Sequence, residues 1–272
     1  MNAPSPVGNL LRQWRQRRRL SQLDFACEAE ISSKHLSFLE TGRSLPSREM
    51  LIRLAELLEI PLRERNVMLI AAGYAPLFPQ RSLDHPDLEV ARAAVERLLS
   101  AMEPYPALAI DRYWNLLASN EAVTALLTGV HHSLLTPPIN VLRLSLHPQG
   151  IAPRIVNLSE WRAHLLARLR HQIDVCGDAL LGELLDELTH YPGSSPTTHA
   201  SASAHTVAVP LRLAHEGAVL SFISTTTVFG TPVDVTLSEM ALECFYPADA
   251  KTAQLLQAAA RAQPTDADAN KS

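Results

Sequence analysis

The chain has 272 residues, 47% hydrophobic and 19% charged, which suits two ordinary globular domains and excludes a disordered polymer. Aromatics at 5% argue against a base-stacking platform, and three cysteines (Cys27, Cys176, Cys244) without Cys-x-x-Cys spacing point away from a disulfide framework or zinc site and toward a reducing cytoplasm. The net charge of −4 hides an asymmetry: residues 1–65 hold 11 Lys and Arg against 8 Asp and Glu, whereas 66–272 hold 13 against 20, either chance at this length or a phosphate-binding head on an acidic body.

Leu10, Leu11 and Trp14 form the apolar stripe of a first helix, followed by Arg15 and the Arg17–Arg19 run. Ser21 is a good N-cap for a second helix with Leu23 and Phe25–Ala26 as its inner face. Ser32 or Ser33 caps a third, in which Leu36 and Leu39 face inward and which stops at Thr41-Gly42. Ser47 caps a fourth, with Leu51, Leu54, Ala55 and Leu58 at helical spacing, and Pro61 opens a fifth that runs through Leu69 to Gly73. The expectation is an all-α five-helix domain over 1–73, its second and third helices joined by a tight turn as a helix-turn-helix.

Residues 74–103 read as a connector: a proline-rich linker, Tyr74–Leu88, then a helix, Asp87–Met102, free to pack on either domain. Over 104–261 the pattern becomes α+β around an antiparallel sheet. Pro106–Ile110 and Trp114–Ser119 form a hairpin about Asp111–Tyr113, and Asn120–Leu127 is a short helix. Leu158–Ile173 and Asp178–His190 are amphipathic helices, Tyr191–Ala204 is a loop, and Thr206–Leu213, Ala218–Phe229 and Glu239–Tyr246 are strands. Pro247–Arg261 is a last helix, and 262–272 a polar, disordered tail.

A helix that reads the major groove presents short or polar side chains. With Leu36 and Leu39 inward, Ser33, Lys34, Ser37 and Phe38 point out, next to Ser32. Lys34 can donate to guanine, and Phe38 either contacts a thymine methyl or belongs to a minor core. Gln22 and Arg43 are placed for phosphates. The Arg17–Arg19 run is either part of this footprint or a solvated helix end. Arg15 and Glu40 can turn inward and pair with each other.

Leu11-Arg12, Arg15, Leu20-Ser21-Gln22, Ala26, Ile31-Ser32 and Leu39-Glu40-Thr41-Gly42-Arg43 resemble the Cro/XRE-type helix-turn-helix. More narrowly, His35-Leu36-Ser37, Arg43–Ser47 and Ala71–Pro76 resemble MmyB-like transcription regulators. The resemblance continues through Glu103–Ala107, Asp111-Arg112-x-Trp114, Asn120, Asn140–Leu144, His147-Pro148-x-Gly150 and Phe245–Asp249, nearly the whole chain. It implies a bacterial regulator with a PAS-like C-terminal domain that binds a small apolar ligand, fatty-acid-like molecules leading, and it implies that Arg15–Glu40 is the buried ion pair of Cro-like domains. The chain departs from the family at Glu30, where the turn usually carries glycine; a side chain at positive φ costs about 1–2 kcal/mol.

Leu108, Ile110, Trp114, Leu116, Leu142, Leu144, Trp161, Val209, Leu211, Phe222 and Phe229 are expected on the inner face of the sheet and its covering helices, either as a filled core or as a pocket. Arg143, between Leu142 and Leu144, points away from them if that segment is a strand; it is either the donor for a ligand carboxylate or a surface residue, with Arg212 and His147 weaker candidates. No Gly-x-Ser-x-Gly elbow, phosphate loop, dinucleotide fingerprint or His-Glu-x-x-His pair is present, so no enzyme, metal or other cofactor is expected. Neither a secretory signal nor a membrane span is expected: two long stretches without Asp, Glu, Lys or Arg, Ala122–Leu142 and Ser194–Leu211, are broken by proline, histidine and serine. The expected partners are duplex DNA, a second copy of the chain and a small apolar ligand, in the cytoplasm. The alternative is a C-terminal domain that only dimerises the DNA-binding heads.

Overall fold

The structure, a computed structural model, describes residues 6–192 and 208–262. It divides into two compact units. The first comprises the N-terminal segment through His85 together with Asp174–Gly177 and Gly230–Ser238. The second comprises the remainder.

The N-terminal segment of the first unit folds, among the described residues, into five helices: α1 (Pro6–Arg17), α2 (Gln22–Glu28), α3 (Ser33–Glu40), α4 (Arg48–Leu57) and α5 (Leu62–Ala71). Ser21, Ser32 and Ser47 cap α2, α3 and α4 by accepting from the N–H groups of Asp24, His35 and Met50. All five helices close alike, with a left-handed residue followed by a six-to-one backbone bond such as Ile31 N–H to Ala26 O at 2.9 Å. Gly42 and Gly73 supply that conformation after α3 and α5, whereas Arg19, Glu30 and Glu59 adopt it after α1, α2 and α4 (φ 56°, 53° and 48°). Leu11, Trp14, Phe25, Leu36, Leu39, Leu51, Leu54, Leu58 and Met68 fill the core. A Cβ on Gly8 would stand 2.4 Å from the Leu39 carbonyl oxygen, so only glycine permits α1 to lie this close to α3.

The expected linker is tied down along Tyr74–His85. Asn66 accepts from the N–H groups of Leu77 and Phe78 at 3.0 Å and donates to the Phe78 carbonyl. Arg81 pairs with the buried Asp234 at 3.0 Å.

In the second unit, a short 3-10 turn (Pro86–Leu88) leads into α6 (Glu89–Ala101). There follow β1 (Ala107–Ile110), β2 (Leu116–Ser119), α7 (Glu121–Leu126), α8 (Val141–Leu146), α9 (Leu158–Cys176, whose residues from Asp174 on count with the first unit), α10 (Ala179–His190), β3 (Leu211–His215) and β4 (Ala218–Val228). The turn α11 (Val235–Ser238) belongs to the first unit, and β5 (Ala241–Pro247) and α12 (Ala250–Ala262) complete the second. The five strands form one antiparallel sheet, ordered β2-β1-β5-β4-β3, the α+β PAS-like arrangement expected. Central β5 sets the register, with Leu108 opposite Glu243 and Glu243 opposite Thr226. Leu108, Leu211, Leu213 and Phe222 share one face of the sheet, toward α8 and α9.

Three expectations need correction. Leu142–Leu144 lies in helix α8, not a strand, because the Asn140 side chain caps it, accepting from the N–H groups of Leu142 and Arg143 at 3.1 Å. Of the strand expected over Thr206–Leu213, Thr206 and Val207 lie outside the described residues; among the described residues it begins at Leu211 and runs to His215, where pairing with β4 supplies its partners. The long helix expected to end at Ile173 continues to Cys176. The loop expected over Tyr191–Ala204 falls, after Pro192, outside the described residues, as does the tail from residue 263.

Candidate nucleic-acid interface and ligand cavity

The first site lies on α3. Ser32, Ser33 and Lys34 are exposed at its N-terminus, and Ser37 and Phe38 are half-buried one turn on. Ser32, not Ser33, is the cap, its hydroxyl accepting from His35 N–H at 3.1 Å. Arg43, just beyond the helix, is exposed. The Lys34 ammonium and the Arg43 guanidinium each lie 5.7 Å from the centre of the Phe38 ring, so two cations and an aromatic edge form one patch. That patch offers donors for phosphates and guanine and an apolar surface for a thymine methyl.

Behind this surface, Arg15 and Glu40 are 7% and 3% exposed. Nε and Nη2 of Arg15 donate to the two carboxylate oxygens of Glu40 at 2.7 and 3.0 Å, and Nη1 donates to the Leu20 carbonyl. The bidentate fork bolts the last residue of α3 to α1. Gln22, expected on a phosphate, donates through Nε2 to Glu40 at 2.7 Å. Sequence reasoning placed it near an N-terminus; only the packed fold brings Glu40 within its reach. In the Arg17–Arg19 run, Arg18 donates to the carbonyls of Leu58 and Glu59 and closes the end of α4. Arg53 donates to the Ala29 carbonyl at 2.7 Å and steadies the turn between α2 and α3.

The second site is a cavity of about 110 Å³ inside the second unit. Its wall combines the inner face of the sheet (Leu108, Leu116, Leu211, Leu213, Phe222, Phe245) with Val123, Leu126 and Leu127 around α7, Leu142 and Leu144 of α8, Ile151, and Trp161 and Leu165 of α9. Trp114 reaches it from the hairpin with φ 66° and donates through Nε1 to Gln172 at 2.8 Å. Asp111 stabilises that hairpin by accepting from the N–H groups of Tyr113 and Asn115 at 2.8 Å. Asn120 caps α7 and also accepts from Ala107 N–H. A Cβ on Gly150 would fall 2.2 Å from the Leu144 carbonyl oxygen, and that close passage delivers Ile151 to the wall.

Two charged residues reach the wall, Arg168 of α9 and Glu243 of β5. Nη2 and Nη1 of Arg168 donate to the carboxylate oxygens of Glu243 at 2.6 and 3.2 Å. Thr226 donates to the same carboxylate at 2.8 Å, and the Arg168 guanidinium lies 4.9 Å from the centre of the Trp114 ring. Burial, and then the neighbouring Arg168, hold His164 below the ordinary histidine pKa, against the opposing pull of Glu243.

Residues 91–259 match the MmyB-like transcription regulator ligand binding domain, and residues 6–68 match a helix-turn-helix domain. The chain belongs to the MmyB-like transcription regulators. A search of curated proteins finds no match to it. The protein is thus a DNA-binding transcription regulator with a C-terminal ligand-binding domain, from a family of regulators rather than of enzymes. No helix among the described residues is long and apolar enough to cross a membrane.

In this MmyB-like regulator the structure brings together Leu108, Trp114, Leu116, Leu142, Leu144, Trp161, Leu211 and Phe222 of the residues expected in the pocket. It leaves out Ile110, Val209 and Phe229. It also leaves out Arg143, because the helical turn of α8 swings that side chain to Glu187, where it forms a bidentate pair at 2.6 to 3.1 Å. The Arg143 hydrogen bond holds Glu187 below the usual carboxylate range, while burial, then Glu187, pushes Tyr191 up to about 12. His147 stands edge-on to Tyr191 in the same group, and Arg212 is exposed on β3. Sequence reasoning missed Arg168 and Glu243. The sequence does place Arg168 seven residues beyond Trp161, on the same face of α9, but nothing local tells it from the other arginines there.

Proposed function

We propose that this MmyB-like regulator works in the cytoplasm as a homodimer on a pseudo-palindromic operator, under the control of a small apolar ligand, fatty-acid-like in its body. Two α3 helices then read half-sites about 34–36 Å apart, or a multiple of that distance. Ser33, Lys34, Ser37 and Phe38 face base edges, and Arg43 with the α2 and α3 N-termini faces phosphates. The ligand acts by binding one arrangement of the two heads better than the other.

The observation that carries the ligand half is the apolar cavity of about 110 Å³ in the domain that matches the ligand-binding family. An engineered apolar cavity of about 150 Å³ holds benzene, so this one suits a body of about four carbons, and a longer chain must extend beyond it. Two measurements test the reading. Selection from a random DNA pool at physiological salt is expected to enrich a two-half-site motif, and an unenriched pool sinks the operator claim. Native mass spectrometry before and after denaturing extraction is expected to reveal an apolar ligand lost on extraction. A clean apo mass that also takes up no added apolar ligand turns the second unit into a dimerisation domain.

A further inference from the structure

Two stretches outside the N-terminal segment are built into the DNA-binding unit, Asp174–Gly177 and Gly230–Ser238. Arg17 of α1 donates to the Cys176 carbonyl at 2.9 Å. Val235, fully buried, donates its N–H to the Pro79 carbonyl at 2.8 Å, the Thr236 hydroxyl donates to the Arg81 carbonyl, and Arg81 pairs with Asp234. Each stretch returns to the ligand-binding unit at a carboxylate, Asp178 after the first and Glu239 after the second. One guanidinium holds both. Nη2 of Arg112 donates to Asp178 at 2.6 Å and Nη1 to Glu239 at 2.8 Å, and the three side chains are only 9%, 14% and 13% exposed.

Arg112 belongs to the turn that carries Trp114 into the cavity wall. Trp114 stands at φ 66°, a conformation that strains any residue but glycine and that recurs at switches. Gln172 fastens the two residues together: it accepts from Trp114 Nε1 at 2.8 Å and donates to the Arg112 carbonyl at 2.7 Å. Gln172 itself lies two residues before Asp174, where the first stretch begins.

We propose that the Asp111–Trp114 turn transmits the state of the cavity to the DNA-binding unit, with Arg112 as the positioning residue that sets both stretches at once. The inference rests on the ligand-sensing reading above and supplies its route. A ligand that displaces the Trp114 ring moves Gln172 and, through it, Arg112. Arg112 cannot shift without taking Asp178 and Glu239 along, because leaving either strands a largely buried carboxylate. The contacts of Cys176 with Arg17, and of Asp234–Thr236 with Pro79–Arg81, then follow. The ligand does this by binding the two settings of the turn unequally.

The test is amide hydrogen exchange of the full-length protein, which reads local opening along the chain. Arg112→Lys keeps the charge but replaces the two-armed fork with a single ammonium. It is expected to speed exchange at least ten-fold at Val235, Leu77 and Phe78, whose N–H groups bond to Pro79 and Asn66 rather than to Arg112, while amides of β3 and β4 keep their wild-type rates. Should that variant not fold, Glu239→Gln removes one arm at constant volume and is expected to act at the same amides. Wild-type exchange there in a folded variant overturns the role of Arg112. With decanoate as the probe and its binding read by calorimetry, the Val235 rate of the wild type is expected to shift at least three-fold. Gln172→Met, which cuts the link to Trp114, is expected to bind decanoate within three-fold of wild type and to lose the shift. A shift that survives in Gln172→Met overturns the route. A wild type that binds decanoate without any shift overturns the transmission and leaves the ligand-sensing reading standing, whereas a wild type that binds no decanoate overturns that reading.

Discussion

Replacing Glu40 by glutamine is the sharpest perturbation available in the DNA-binding unit. The side chain is 1% exposed and its Arg15 partner 8%, so neither charge can return to water without unfolding. Glutamine keeps the volume and one acceptor oxygen, so no cavity forms and the loss is electrostatic. Arg15 would keep only an uncharged acceptor for its 2.7 Å bond and lose the 3.0 Å one, and Gln22 would lose the bond it makes to the same oxygen. Removing one member of such a pair costs roughly 3–5 kcal/mol, a large share of the ~5–15 kcal/mol that holds a typical domain together. Taking about 1.5 kcal/mol/M for the urea dependence of a unit this size, the midpoint should fall by roughly 2–3 M. Trp14, packed in the core of that unit, reports its unfolding by fluorescence in a Trp114→Phe/Trp161→Phe background. The double replacement Arg15→Met/Glu40→Leu should recover most of the loss, since an apolar pair of similar volume needs no compensation. A loss below about 1 kcal/mol for Glu40→Gln, the scale of an exposed ion pair, would refute the reasoning.

Four further outcomes follow from the same geometry. Lys34→Ala should cost roughly 1–3 kcal/mol on the cognate operator and relax specificity there; equal losses on cognate and random DNA would remove Lys34 from base readout. Arg43→Ala should weaken all DNA alike and flatten the salt dependence by about one phosphate contact; an unchanged slope contradicts that role. Glu30→Gly should raise the thermal midpoint, because relief of about 1–2 kcal/mol of left-handed strain outweighs the added chain entropy; a lower midpoint would show that the Glu30 side chain earns its place otherwise. His164 has a folded pKa below its unfolded one, so the unfolded chain binds more protons and stability should decline as pH falls through and below the ordinary histidine value near ~6.5. His164→Phe should flatten that part of the stability profile relative to wild type, and an identical slope would count against the shift.

The helical half was legible because its signals are local. Ser21, Ser32 and Ser47 cap the helices the sequence assigned to them, and Gly42 takes the left-handed turn after α3. Leu36 and Leu39 are buried as their spacing demands. The departure at Glu30 is a side chain holding the glycine conformation: Glu30 and Ile31 still close α2 with the usual pair of backbone bonds. Arg15 and Glu40 met because both sit on inward faces, which periodicity reveals.

The sensor half was legible as a list of apolar positions but not as a wall. Leu142, Arg143 and Leu144 have the same spacing in a strand or a helix over so short a run, and only the Asn140 cap decides for α8 and carries Arg143 to Glu187. Sequence alone determined the helix-turn-helix, the change to an α+β body and most of the residues that line the cavity, because caps and hydrophobic periodicity act within a few residues. Only the tertiary structure decided that Arg168 meets Glu243 across 75 residues and that Gln22 serves Glu40. Charge pairing depends on distances in space, and no local pattern encodes those distances.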